Sequence, residues 1–167
     1  MSTRWNAVAH AAGLVDPTGA IRPTIFAEMS ALAAATGAVN LGQGFPDSDG
    51  PEWIRQAAIE AIETGANQYP PGRGIAALRQ AIAAHQRRHY GLAFDPDTEV
   101  LVTAGATEAL TSAVLALAGP GDEVLTLEPF YDSHAAAIAL AGATHTTEPL
   151  IATPAGFRLD LAALVAA

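Results

Sequence analysis

The spacing of apolar positions in the first part of the chain is helical. Apolar side chains recur at every third or fourth position in three segments, and a glycine ends each segment. Such spacing before a residue that favours a helix end predicts three helices, at 23–37, 51–65 and 75–91. Between the first two helices, "AVNLGQGFPDSDGP" (38–51) predicts a short strand and then a loop rich in glycine and proline.

From residue 99 onward the pattern changes to alternating strands and helices. Short apolar runs at 99–104, 122–129 and 143–150 alternate with helical segments at 106–119 and 131–142. This alternation, with short joints marked by glycine, predicts right-handed β-α-β units. The expected fold class is therefore α/β, a mostly parallel sheet with flanking helices.

Two of these strands are expected in the middle of the sheet. Val100–Thr103 and Val124–Leu127 are apolar at successive positions, as strands covered by helices on both faces must be. Further along, Asp160 is placed to cap a helix that has about two turns before Ala167. A helix cut short, in a sheet without an evident far edge, leads us to expect a truncated domain.

Composition narrows the class of protein. Hydrophobic residues make up 50% of the 167 residues and charged residues 15%, which excludes a disordered chain. A net charge of −9, with no basic cluster larger than Arg87–His89, argues against nucleic acid or an anionic membrane as a partner. There is no cysteine, no evident signal peptide and no apolar run long enough to span a membrane, so a cytoplasmic protein is the default expectation. All eight basic residues are arginine, and the chain contains no lysine.

The joint between the first strand of this part and its helix consists of the small residues Gly105, Ala106 and Thr107. Ligands of open parallel sheets bind beyond the carboxyl ends of the strands, where helix N-termini offer unpaired N–H groups and a positive dipole. An anion could therefore lie here, provided that the Glu108 side chain points away from it. Small residues at such a joint are more often simply a tight connection, and taken alone the motif does not decide between the two interpretations.

Two neighbouring segments favour the anion site. The next strand ends in Phe130 and Tyr131 at the same edge of the predicted sheet, although either aromatic residue taken singly is more often part of a core or rim. The earlier loop carries Gly42 and Gly44, whose backbone amides could face a ligand, or which could form a crossover without one. A phosphate cradle, an aromatic ring and a glycine loop together suit a flat phosphorylated cofactor.

Four motifs in this order and spacing closely resemble the fold-type-I, pyridoxal-phosphate-dependent class I/II aminotransferases, especially the kynurenine/methionine aminotransferase-like branch. The resemblance covers nearly the whole chain, from about Arg22 to Ala167. It implies that residues 1–40 form an N-terminal arm and first helix, and that 41–167 form an incomplete first half of the large, cofactor-binding domain. The motifs are "NLGQGFPD", "NQYPPGRGIAALRQAIA", "VLVTAGATEAL" and "GDEVLTLEPFYDSH".

The resemblance also implies roles for six residues toward pyridoxal 5'-phosphate and the substrate. The turn at Gly105 would bind the cofactor phosphate, with donors from Ala106 and Thr107, and Tyr131 would stack on the pyridine ring. Tyr69 would reach the phosphate of the other subunit in a homodimer, although a plain turn residue remains an alternative at this position. Gly44 would lie against the substrate carboxylate. The substrates would be an amino acid and a 2-oxo acid.

The chain departs from the family in the residues that carry the chemistry. The family's catalytic lysine, which forms the Schiff base with pyridoxal, has no counterpart here, and arginine cannot replace it because its guanidinium stays protonated. We therefore expect no catalytic residue, no metal site and no activity from this chain alone. A non-catalytic module that binds a phosphate-bearing ligand or completes a partner chain, and a β-lyase on the same scaffold, remain alternatives. The sequence does not identify the amino acid substrate.

Overall fold

The computed structural model describes residues 4–44, 46 and 48–166. These residues belong to two compact units, one formed by the residues up to Glu28 together with those from Ala104 onward, the other by Met29–Thr103. The helices are α1 (Arg4–Ala11), α2 (Ile25–Thr36), α3 (Glu52–Glu63), α4 (Ala76–Tyr90), α5 (Ala106–Leu117), α6 (Asp132–Ala141) and α7 (Leu161–Ala166). The strands are β1 (Glu123–Glu128), β2 (Thr144–Pro149), β3 (Ile151–Thr153) and β4 (Gly156–Arg158).

The first unit is built around a parallel β-α-β unit. Strand β1 pairs in parallel with β2, in a register that runs from Glu123 opposite Thr144 to Glu128 opposite Pro149. Helix α6 connects the two strands and packs against β2 and α5, and the N-terminal helix α1 covers it as well. Because α6 lies among these elements, Ile138 is almost completely buried, at 1% exposure. The predicted strands at 122–129 and 143–150 and their parallel arrangement are confirmed.

Three elements of the first unit, one helix and two strands, were not predicted from the sequence. Helix α1 consists of only eight residues with a weak apolar stripe, which gives little helical signal. Strands β3 and β4 form a short antiparallel hairpin, and the Thr153 hydroxyl donates to the carbonyl oxygen of Gly156 across its turn at 2.7 Å. Strands of three residues are too short for an alternating pattern to reveal them.

The second unit contains the predicted helices α3 and α4. Helix α4 ends where the sequence predicts, because Gly91 adopts a left-handed conformation (φ 69°) and its N–H donates to the carbonyl oxygen of Arg87. Arg79, on the same helix, forms an ion pair of 3.0 Å with Asp97 in the segment that follows. This ion pair holds Asp97, in the segment after the helix, against α4.

The prediction of central strands at Val100–Thr103 and Val124–Leu127 is wrong in part. Residues 100–103 belong to no described strand, and the Val102 N–H donates at 3.2 Å to the carbonyl oxygen of Arg73, in a loop. Residues 124–127 do form part of β1, but β2 is its single neighbour among the described strands. The side chains of Leu125 and Leu127 are 37% and 38% exposed rather than covered. An apolar run thus does not by itself show that a segment pairs with strands on both sides.

The short strand expected at the start of 38–51 is also absent from the described structure, where residues 38–40 carry no strand pairing. The backbone of this segment is shaped instead by side-chain hydrogen bonds.

Among the described residues, no helix combines the length and the apolar character that a membrane crossing requires.

Candidate functional site

The N-cap position of α5 has a backbone conformation that favours glycine over every other residue type. Gly105 is the N-cap residue and has φ 93° and ψ 174°, a region that residues with a Cβ rarely occupy. The first hydrogen bond within the helix runs from the Ala109 N–H to the Gly105 carbonyl oxygen, at 3.3 Å. The N–H groups of Ala106, Thr107 and Glu108 precede that bond and are those that a helix cannot satisfy itself. With the helix dipole, they present partial positive charge.

The space in front of this turn is open. Residues 104–109 are exposed, and a Cβ added to Gly105 would meet no atom within 4 Å. A tetrahedral anion can therefore approach the backbone closely.

Glu108 is the acidic residue nearest to the turn, and its side chain is engaged elsewhere. Its carboxylate accepts a hydrogen bond from the backbone N–H of Ala104, which precedes the N-cap residue. The carboxylate therefore does not occupy the N–H groups of Ala106 and Thr107. A negative charge in the first turn also stabilises the helix through its dipole.

Tyr131 lies three residues after the end of β1 and is the N-cap residue of α6. Its ring lies 6.0 Å from the ring of Phe26 and 6.3 Å from that of His134, measured between centroids. Phe26 therefore supports the Tyr131 ring from a distant part of the chain, a contact that no sequence pattern indicated. The residue remains 52% exposed, so its ring is available to a ligand.

A cleft of about 430 Å³ lies beside Tyr131 in the same unit. Helix α5 contributes Leu110 and Val114 to its lining, and α6 contributes His134 and Ile138. The remaining lining comes from β1 and the residues after it, and most of it is apolar. The cleft thus combines an aromatic platform with apolar walls, as cofactor sites commonly do.

Gly44 and Tyr69 belong to the second unit. Gly44 is exposed, and an added Cβ would meet no atom within 4 Å, so the loop has room for a ligand at this point. Tyr69 is completely exposed, at 100%. Its ring therefore contributes little to the packing of the described structure. Of the six predicted site residues, four thus lie in the first unit and two in the second.

Comparison with known proteins identifies the family. Residues 36–167 match the family model for aminotransferases of class I and II. The chain belongs to this family. It is 62% identical over 141 residues to a protein of Mycobacterium tuberculosis named "Probable N-succinyldiaminopimelate aminotransferase DapC", an alignment that covers 84% of this chain and 36% of that relative. It is 49% identical over 137 residues to the methionine aminotransferase of Escherichia coli, covering 82% of this chain and 35% of that enzyme.

Solved structures agree with the family assignment. The structure of N-succinyldiaminopimelate aminotransferase from Mycobacterium tuberculosis superposes with a TM-score of 0.81 at 55% identity, over 98% of this chain and 39% of that one. The fold class expected from the sequence, an α/β portion of the large domain of this transferase fold, is confirmed by this similarity. The chain spans little more than a third of the length of these relatives.

Members of this family use pyridoxal 5'-phosphate, which confirms the cofactor expected from the sequence. The residues present in this chain fit the phosphate of that cofactor. They supply a helix N-terminus, a glycine at positive φ that leaves space beside the backbone, and a Glu108 carboxylate that is engaged by the Ala104 N–H.

Proposed function

We propose that this chain supplies the cofactor-phosphate site and the ring platform of a pyridoxal-phosphate-dependent aminotransferase, which transfers an amino group between an amino acid and a 2-oxo acid. The observation that carries the proposal is the open, Gly105-capped N-terminus of α5, in the same unit as the exposed ring of Tyr131. On this proposal residues 1–40 form an N-terminal arm and first helix, and residues 41–167 form the first half of the large domain.

The phosphate would be held by the backbone N–H groups of Ala106 and Thr107 and by the Thr107 hydroxyl, with Gly105 allowing its close approach. Hydrogen bonds to a charged group contribute about 1.5–3 kcal/mol each, more than those between neutral groups. The positive end of the α5 dipole adds to this attraction. This set of donors would account for most of the affinity of the chain for the cofactor.

Tyr131 would fix the orientation of the pyridine ring. An aromatic pair in stacked contact contributes about 0.5–1.5 kcal/mol beyond the area that it buries. The ring of Phe26 lies beside that of Tyr131, with the two centroids 6.0 Å apart. Pyridoxal 5'-phosphate, when bound, would supply the electron sink that amino-group transfer needs. Ring orientation is the contribution of this chain to that chemistry.

Gly44 and Tyr69, in the second unit, have separate proposed roles. The open space at Gly44 would receive the substrate carboxylate against the backbone. Tyr69, fully exposed, would reach the cofactor phosphate of a second subunit, so that the active enzyme is a homodimer. We place this enzyme in the cytoplasm.

The lack of lysine limits what the 167 residues do by themselves. None of their side chains can take the part of the family's catalytic lysine, because arginine stays protonated and is a poor nucleophile. We therefore propose that this chain binds the cofactor without covalent attachment and is inactive alone. N-succinyldiaminopimelate and methionine, after which two relatives are named, are the first substrates to test with a polypeptide that also supplies the lysine.

Cofactor binding by purified variants tests the proposal. Thr107→Ala and Tyr131→Ala should each weaken the binding of pyridoxal 5'-phosphate, measured by calorimetry, by about 5- to 30-fold, the equivalent of about 1–2 kcal/mol. Tyr131→Phe keeps the aromatic ring and should bind like the unchanged protein. Ser112→Ala is the matched control, because Ser112 is an exposed residue of α5 outside the site. Circular dichroism verifies that each variant folds. Equal affinity in all variants would show that the site lies elsewhere.

A further inference from the structure

The Ser30 hydroxyl on α2 is connected to the glycine loop by hydrogen bonds. It accepts a hydrogen bond from the Asn40 side-chain amide at 3.2 Å and donates one to the Gln43 side-chain oxygen at 3.3 Å. The Asn40 side-chain oxygen in turn accepts the backbone N–H of Gly42 at 2.9 Å. Three hydrogen bonds therefore connect the Gly42 backbone N–H, through the Asn40 side chain and the Ser30 hydroxyl, to the side-chain oxygen of Gln43.

The loop needs such a chain because it has no ladder or helix of its own. Gly42 packs closely on α2, since an added Cβ would lie 3.3 Å from both the Met29 Cβ and the Asn40 side-chain oxygen. Gly44, two residues on, faces open space. One end of the loop is thus held against the helix, while the other end is free to meet a ligand.

We propose that Ser30 is a positioning residue, which holds the loop from Asn40 to Gly44 in the conformation that receives a carboxylate at Gly44. This inference rests on the role proposed above for Gly44. A hydroxyl is the group that the arrangement requires, because it must accept one hydrogen bond and donate another at the same point. Ser30 is half-buried, so water replaces it poorly.

Amide hydrogen exchange of the ligand-free protein, followed by NMR, tests the hydrogen-bond chain. Ser30→Ala removes the hydroxyl and should raise the exchange rate of the Gly42 amide by about 5- to 30-fold, while the amides of α3 and α4 keep their rates. Ser30→Thr keeps a hydroxyl and should restore slow exchange. Ser112→Ala, on an exposed face of α5, should leave the loop unchanged. An unchanged Gly42 rate in Ser30→Ala, or faster exchange throughout the second unit, would overturn the inference.

A second measurement connects the loop with the carboxylate. With pyridoxal 5'-phosphate present, 2-oxoglutarate should slow the exchange of the Gly44 amide, and Ser30→Ala should need about 5- to 30-fold more of it for the same effect. An unchanged concentration dependence would overturn the positioning role. If 2-oxoglutarate fails to slow Gly44 exchange even in the unchanged protein, the role proposed for Gly44 fails, and the positioning role fails with it. The ligand-free exchange rates would then still report whether Ser30 holds the loop.

Discussion

Gly74 lies against the side chain of Val102 in the second unit, and Gly74→Ala is expected to be strongly destabilising. An added Cβ would lie 2.5 Å from the Val102 Cγ2 and 2.6 Å from its Cβ, well inside contact distance. In addition, Gly74 has φ +89°, a conformation in which a residue with a Cβ is strained. The Val102 N–H is held in place by the adjacent Arg73 carbonyl oxygen at 3.2 Å, so Val102 cannot move away freely.

Matched variants separate the cost of the unfavourable φ from the cost of the overlap with Val102. The unfavourable φ costs about 1–2 kcal/mol and the overpacking about 1–3 kcal/mol, so Gly74→Ala should lose about 2–5 kcal/mol. Gly65→Ala provides the φ contribution alone, since Gly65 has φ +90° and nothing within 4 Å of an added Cβ. Gly72→Ala, two residues before Gly74, has neither problem and should be close to neutral.

Urea unfolding followed by circular dichroism gives the free energy of unfolding of each variant. The expected order of destabilisation is Gly74→Ala, then Gly65→Ala, then Gly72→Ala. The reasoning would be refuted if Gly74→Ala were no more destabilised than Gly65→Ala, because the contact between Gly74 and Val102 would then contribute nothing. A loss larger than the sum given above would show that Val102 anchors more of the unit than its own side chain.

Three further outcomes are expected. Borohydride treatment of the protein with pyridoxal 5'-phosphate should leave no pyridoxyl group on any internal residue, because the chain has no lysine, and intact-mass and peptide spectra would reveal such a group. Hydrogen bonds from the Asp97 N–H and the Thr98 hydroxyl lower the pKa of Asp95 below 3.8. The ionised carboxylate therefore stabilises the folded protein above that pH. This stability is lost as the pH falls through the lowered pKa. Asp95→Asn should therefore flatten the dependence of thermal stability on pH from roughly pH 5 downward, and a curve identical to that of the unchanged protein would contradict it. The protein should also self-associate in sedimentation experiments, because Leu117 on α5 is 85% exposed. Leu117→Lys should reduce this association. A monodisperse monomer of the unchanged protein would count against the prediction.

The helices other than α1 were predictable from the sequence because their signals are local. The end of α4 at Gly91 needs only a glycine that adopts φ 69° after an apolar stripe, and both are visible within one segment. The strands β1 and β2 were predictable for the same reason. The partner of Val102 was not, because an apolar run does not encode which segment completes its hydrogen bonds.

The candidate site shows the same division between local and distant information. The turn at Gly105 could be predicted because a strand, small residues and a helix follow one another within a short stretch. The contact of Phe26 with Tyr131 joins residues more than a hundred positions apart, and no periodicity connects them. The hydrogen bonds of Ser30 with Asn40 and Gln43 are equally invisible in the sequence, since a serine in a helix is ordinarily a solvent-facing residue.

These two distant contacts have a common consequence for the proposed function. The groups expected to touch the ligand, Tyr131 and Gly44, are exposed and could adopt other conformations if nothing held them. Phe26, close to the start of α2, contacts the first, and Ser30, one turn further along the same helix, is bonded to the loop of the second. Phe26 and Ser30 thus each contact a proposed ligand-facing segment within their own unit, and neither is itself proposed to touch a ligand. A substitution on α2 can therefore alter binding without changing any residue that the family motifs would identify as part of the site.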